Sequence, residues 1–176
     1  MRPSTAATLM SLLLISCAAS PKDRMPTVPH VDLPRFMGDW YVIASIPTFL
    51  EKRAYNAVES YRLEADGTIA TTFTFRKGSF EGPVKTMRPH GRVRDASNAV
   101  WGMQFIWPIK AEYLIAHLDA GYTETIIART ARDYVWIMAR TPAISEPDYQ
   151  RLVATVERLG YDAAKLRRVP QSWPQS

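Results

Sequence analysis

Between residues 40 and 140 the chain repeats one pattern. A run of seven to ten residues, rich in β-branched and aromatic side chains, is followed by a short polar break. The clearest alternation is at 68–76, where Ile69, Thr71, Phe73 and Phe75 interleave with Thr68, Ala70, Thr72 and Thr74. Side chains on a strand point to opposite faces in turn, so this run has one buried face. The breaks carry turn chemistry: Asp66-Gly67, Gly78 with Gly82-Pro83, Asp95 to Asn98, and Asp119-Ala120-Gly121. Pro89 and Gly91 fall inside the run 85–94. Proline in a strand marks an edge or a bulge, so a bent, loosely paired strand is expected there. Eight strands are predicted, at 40–46, 55–63, 68–76, 85–94, 99–107, 111–118, 122–129 and 134–140. Short sequential links favour an all-β fold, an eight-stranded up-and-down antiparallel β-barrel, which removes sheet edges. An immunoglobulin-like sandwich is the rival. It usually carries Greek-key crossings and does not predict the helix that comes next.

After Pro142 the period changes. Tyr149, Leu152, Val153, Val156 and Leu159 follow helical spacing. Ser145 and Asp148 form a weak capping box, Pro147 is tolerated in a first turn, and Gly160 stands where a C-terminal cap would. One apolar stripe predicts a C-terminal α-helix packed outside the barrel. Residues 166–169 read as a short extra strand before a Pro-rich tail. Ahead of the first strand, Asp32 can cap a short turn with Pro34 near its start. That turn would lead Phe36 under the barrel. Residues 48–54 carry Phe49 and Leu50 beside Glu51, Lys52 and Arg53. They suit a lip over a cavity mouth and an ordinary packed loop equally.

The first residues have another purpose. Met1-Arg2 is a short positive start, and 6–15 is an apolar core of secretory-signal length, too short for a stable membrane span. It ends in Leu14-Ile15-Ser16-Cys17, and Cys17 is the sole cysteine. This resembles a bacterial lipobox, so 1–16 is expected as a lipoprotein signal peptide and Cys17 as the acylated N-terminus. An ordinary signal peptide cut near Ala18-Ala19 is the alternative. Ala18, where an Asp would resemble an inner-membrane retention signal, implies the cell outer membrane, with the periplasmic face expected. Three acyl chains exceed the two signals that stable anchoring needs. Residues 17–30 read as lipidated N-terminus and tether, and 31–176 as the folded domain. The mature chain then has no disulfide in an oxidising compartment.

The net charge of +5 is scattered, with no basic stripe, which argues against nucleic acid. His30, His90 and His117 are dispersed, and no His-x-x-x-His, paired-carboxylate or glycine-rich phosphate motif occurs. No catalytic residue, metal site or cofactor is predicted.

The ends of the β run bear Gly38-Asp39-Trp40 and Asp133-Tyr134-Val135-Trp136-Ile137-Met138-Ala139-Arg140-Thr141-Pro142. With eight strands, a helix and a lipobox, they resemble the lipocalin family, in particular its bacterial outer-membrane lipoproteins and their relatives, apolipoprotein D and the plant temperature-induced lipocalins. The resemblance spans 31–169. It implies a calyx closed by Gly38, Trp40 and Arg140, the guanidinium lying on the indole, with a lipid in the lumen. It implies a lipid-binding outer-membrane lipoprotein that holds or transports a fatty acid or lysophospholipid, in envelope maintenance or stress. A few lipocalins are enzymes, so catalysis on a lipid is kept as an alternative by analogy, and a homodimer is left open.

With Trp40 facing inward, period two places the pocket residues. They are Ala57, Glu59 and Tyr61; Ile69, Thr71, Phe73 and Phe75; Leu114; and Tyr134, Trp136 and Met138. Leu114 depends on a register that a one-residue slip would invert. The apolar members suit a filled barrel as well as a pocket. A carboxylate such as Glu59 facing an apolar lumen is costly unless paired or wet, and points to a polar mouth, a head-group contact or a raised pKa. A shifted register would put it in solvent instead.

Overall fold

The computed structural model describes residues 24–48, 51–106 and 109–174. The expected signal segment, Cys17, and Phe49 and Leu50 of the expected lip lie outside the described residues.

A short helix α1 (Leu33–Phe36) leads into β1 (Gly38–Ile46), β2 (Ala54–Leu63), β3 (Thr68–Lys77), β4 (Val84–Met87), β5 (His90–Val93), β6 (Val100–Ile106), β7 (Ile109–Leu118), β8 (Glu124–Ala128) and β9 (Val135–Ala139). Sequential neighbours pair antiparallel, and β9 returns to β1 with Val42 opposite Met138. The result is a closed eight-strand antiparallel barrel, because β4 and β5 together fill one strand position beside β3. The strand expected at 85–94 breaks at Arg88-Pro89. Proline has no N–H for the ladder, but its carbonyl accepts from Thr71 N at 3.1 Å and keeps the wall joined.

Helix α2 (Glu146–Arg158) follows, with Ser145 as N-cap accepting from Asp148 N and Gly160 at φ +87° just beyond its end. Tyr149, Leu152 and Val156 are buried against Ile126, Ala128, Val135, Ile137 and Ala139. Arg151 anchors the helix to β8 through Glu124 at 2.5 Å. A short strand β10 (Arg167–Arg168) pairs with β1. Beyond it, Val169 N reaches Ile43 O, Asn56 N reaches Pro170 O, and Gln171 Nε2 donates to Val42 O and Ala57 O. The β1–β2 ladder runs only from Gly38↔Tyr61 to Tyr41↔Val58, and the tail stitches the part where these strands diverge.

Packing begins before Val31, inside the segment expected as tether. Met25 is buried with the outer cluster, and Val28 N bonds Ile115 O at 3.0 Å. Two apolar clusters therefore share the barrel wall. One fills the lumen, and the other lies between the wall and α2.

The floor is built around Trp40 and Arg140. Trp40 is wholly buried, and its Nε1 donates to Phe36 O at 2.9 Å. The Arg140 guanidinium sits 3.9 Å from the indole centroid. Its Nη2 donates to Arg35, Phe36 and Met37 carbonyls at 2.9, 3.0 and 2.9 Å, and Nη1 donates to Asp39 O at 2.7 Å. The first three carbonyls belong to the end of a four-residue helix, where a cation is favoured. Gly38 has φ +93°, and a Cβ there would stand 3.4 Å from Arg140 Nη1. A side chain would both strain the backbone and crowd the guanidinium.

Arg140→Ala is expected to lower the unfolding free energy by about 3 kcal/mol, through lost charge-assisted hydrogen bonds and the cation–π contact. Arg140→Lys should lose about 2 kcal/mol, because an ammonium cannot span the same fork of carbonyls. Urea unfolding followed by tryptophan fluorescence measures both. A loss below about 1 kcal/mol for alanine would mean that apolar packing alone holds the floor.

Candidate ligand-binding site

The barrel interior has Glu51 near its mouth and a cluster of aromatic rings at its base. At the base, Phe36 from α1 touches Trp40, Tyr61 and Trp101, with ring centroids at 5.0, 5.6 and 5.5 Å. Trp101 on β6 stacks on Tyr113 of β7 at 5.3 Å, and the Tyr61 and Tyr113 hydroxyls are hydrogen-bonded to each other. Higher up, Phe73 stacks on Trp136 at 5.4 Å, and Phe75 and Tyr134 flank this pair. Aromatic pairs in these offset and edge-on arrangements add about 1 kcal/mol each beyond buried area.

Most of the residues expected in the pocket are brought together here. Ala57, Tyr61, Ile69, Phe73, Phe75, Trp136 and Met138 belong to the inner cluster. Glu59 and Thr71 are buried polar residues on the same faces. Tyr134 stands at the rim just before β9, its hydroxyl donating to Glu112 O at 3.1 Å. Leu114 is the exception, and its expected inward placement is corrected. It packs in the outer cluster near α2, while Tyr113 and Ile115 face inward. Because α2 covers this side of the barrel, both faces of β7 are apolar, and alternation carries no sign there. A bulge between Ile115 and His117 then inverts the phase, returning Leu118 to the inner cluster. A similar bulge in β1 after Val42 turns Ala44 outward, although period two places it on the Trp40 face.

Trp101, Met103 and Tyr113 are lumen residues that were not singled out. The alternation of Trp101 and Met103 with Gly102 and Gln104 could have revealed the first two. The hairpin register, Trp101 opposite Tyr113, then identifies the third.

The electrostatics of the lumen are unusual. Glu59 is fully shielded, and neither carboxyl oxygen has a hydrogen-bond partner. Burial pushes its pKa well above the ordinary 4.5, and the neighbouring Glu51 carboxyl raises it further. Tyr61 is close enough to offset part of this, but its hydroxyl is engaged with Tyr113. Glu51, at the mouth, is also raised by burial, although Thr48 N and Oγ1 donate to it at 3.3 and 3.0 Å. Trp136 lies near enough to Glu51 to lower it slightly, yet no well-formed hydrogen bond reaches its Nε1. Burial also holds the Tyr61 and Tyr113 hydroxyls protonated, with pKa values well above 10. Burial therefore shifts both lumen carboxyls toward the neutral acid.

Basic side chains gather at the mouth as well as elsewhere on the surface. Lys52, Arg53, Lys77, Lys85 and Lys110 are exposed at the mouth end. Grooves of about 360 and 220 Å3 meet there at Phe75, one bounded by Phe80, Val84 and Trp173, the other by Lys77, Lys85 and Met87. His30 and His90 are exposed, and His117 feels Arg151 on the outer side. Among the described residues no group of three His, Cys, Asp or Glu could hold a metal, and no helix is long and apolar enough to cross a membrane.

A closed antiparallel calyx with an apolar, aromatic interior, a helix on its wall and an arginine-capped floor is the architecture of a small-ligand binding barrel. The chain belongs to the lipocalin family: the family described as "Lipocalin-like domain" matches residues 31–171. The temperature-induced lipocalin-1 of Arabidopsis thaliana is 32% identical over 158 residues, covering 86% of this chain and 85% of that protein. The outer membrane lipoprotein Blc of Citrobacter freundii is 29% identical, covering 96% of each chain. Among solved structures, insecticyanin from the tobacco hornworm Manduca sexta superposes with a TM-score of 0.66 at 15% identity, covering 85% of each chain. The cockroach allergen Per a 4 does so at 0.63 and 17%, covering 84% of this chain and 92% of that one. These two likenesses are of fold.

Glu59 keeps its proton in the folded chain to a higher pH than in the unfolded chain, where 4.5 is ordinary. Above that value the unfolded chain releases the proton first, so stability falls as pH rises, until the folded carboxyl itself ionises. The denaturant midpoint of the parent is expected to fall more between about pH 5 and about pH 8 than that of Glu59→Gln. Equal slopes would mean that Glu59 ionises in the fold as readily as in the unfolded chain.

Proposed function

We propose that this lipocalin is a lipid-binding outer-membrane lipoprotein. It is anchored through acyl chains on Cys17 at the periplasmic face, and it holds or carries a fatty acid or lysophospholipid for envelope maintenance or stress. The observation that carries this reading is an aromatic lumen whose two carboxyls are shifted toward the neutral acid, with Lys52, Arg53, Lys77, Lys85 and Lys110 exposed at its mouth. An acyl chain gains about 0.8 kcal/mol for each methylene removed from water. Lys77 and Lys85 stand beside the grooves that lead to Phe75, and cations there raise the local concentration of anionic lipid. The Blc relatives are named outer membrane lipoproteins and match over nearly their full length, which supports the location and the anchor. The pocket is assigned to Ala57, Glu59, Tyr61, Ile69, Thr71, Phe73, Phe75, Tyr134, Trp136 and Met138, with Trp101, Met103 and Tyr113 added.

The reading is of a binder, without catalysis. The lumen carboxyls are both biased to the neutral acid, and none of the three histidines faces them. A filled structural barrel is the second reading, favoured by the close packing of Phe36, Trp40, Tyr61, Trp101 and Tyr113 at the base.

The test uses a chain starting at Ala18, which keeps every described residue, with its β-sheet content checked first by circular dichroism. Native mass spectrometry of this chain purified from cells, with lipid extraction, is expected to find about one amphiphile per barrel. Trp136→Arg, checked for β-sheet content by circular dichroism, should lose it. Protein that is empty and takes up no amphiphile on titration would establish the filled barrel instead.

A further inference from the structure

We propose that Glu59, Thr71 and the Trp136 indole form a hydrogen-bonding station within the lumen that receives the uncharged carboxyl end of a free fatty acid, which enters carboxyl first. This rests on the carrier reading and narrows its ligand.

Six buried side-chain polar atoms lack a hydrogen bond among the described residues, and four of them are Glu59 Oε1, Glu59 Oε2, Thr71 Oγ1 and Trp136 Nε1. Native interiors pair nearly all such atoms, and a concentration of orphans in one lumen needs an explanation. The strands bring these groups together. Glu59 on β2 faces Phe73 on β3, and Thr71 stands one diagonal step away, opposite Tyr61. Phe73 stacks on Trp136, which places the indole on the far side of the same space.

The orphan set defines the chemistry of its partner. A protonated Glu59 offers one O–H donor and one carbonyl acceptor, Thr71 offers either, and Trp136 offers one N–H. A second carboxyl group matches the first in a ring of two hydrogen bonds, with its remaining lone pairs open to the threonine and the indole. Burial, and after it the Glu51 carboxyl, favours the protonated form of Glu59, and with it a pair that carries no buried charge. A phosphate or choline head group would bring a charge among Glu51, Glu59, Tyr61 and Tyr113, where desolvation opposes it. A methyl end would leave all four atoms unpartnered. Glu59 is wholly shielded, whereas Phe75 and Trp136 keep 4% exposure each. Phe75 lies nearer the mouth end of β3 than Phe73, so a ligand entering from the mouth meets Phe75 and then the Phe73–Trp136 stack before the acid.

The test uses the chain from Ala18, stripped of lipid, with palmitic acid and 1-palmitoyl-lysophosphatidylcholine as probes. Carbon-13 NMR of carboxyl-labelled palmitic acid reads its protonation directly. In the parent the bound carboxyl resonance is expected to stay put from about pH 5 to about pH 8, where an exposed carboxylate changes as it ionises. Glu59→Leu should weaken palmitic acid about tenfold and leave the lysophospholipid within about twofold, while Glu59→Gln, which keeps a neutral donor and acceptor, should stay near the parent. A bound carboxyl that titrates like an exposed one, or a leucine variant that binds palmitic acid as the parent does, overturns the proposal. Uptake of the lysophospholipid without palmitic acid sinks this inference and leaves the carrier reading intact. Uptake of neither sinks both.

Discussion

A barrel has to close, and here the closure is bonded at its floor by one side chain. Arg140 leaves the end of β9 and donates to four carbonyls between Arg35 and Asp39, while lying on the face of Trp40. This one guanidinium ties the start of the domain to its last barrel strand, alongside the β1–β9 ladder. Helix α1 is four residues long and far below the length that is stable alone, so its position depends on this contact and on Asp32 at its start. Phe36 is thereby delivered into the base of the lumen. Planarity and weak hydration let arginine do this partly buried, where lysine would keep its water.

Closure at the floor leaves the other end free to serve as a mouth. The mouth end exposes Lys52, Arg53, Lys77, Lys85 and Lys110, while acidic groups in and beside the floor-side connections are engaged by backbone and neighbouring side chains. Asp119, for example, accepts from Gly121, Thr123 and Glu124 backbone N–H groups. Stability and function are thus divided along the barrel axis. On the α2 side the wall is buried on both faces, as a sheet sandwiched between a lumen core and a helix must be. Strand β4, by contrast, is short and mostly exposed.

The buried acid is the place where local rules are broken. A fold optimised only for stability would put leucine at Glu59. Departures of this kind concentrate at functional positions, because a ligand can satisfy what the protein leaves unsatisfied. Glu51 and Glu59 also sharpen each other, since two nearby carboxyls cannot both ionise cheaply in a dry lumen.

Much of this was legible without coordinates. The strand count, the antiparallel order, the helix with its Ser145 and Gly160 caps, and the Trp40 and Arg140 pairing follow from alternation, turn residues and family resemblance. So do the inward faces of β2 and β3, because their outer faces are polar and the period has a sign. The sequence alone already marked Glu59 as an acid in an apolar row. Where a second core covers the wall, the sign disappears, and Leu114 and Tyr113 exchange faces from what period two suggested. Bulges after Val42 and Ile115 each add one residue, and one residue inverts every side chain beyond it. The proline break between β4 and β5, and the tail that closes the gap between β1 and β2, depend on hydrogen bonds between distant segments. Local pattern determined which residues form strands; which face each presents, and whether its polar atoms find partners, was decided only when the wall closed around a shared interior.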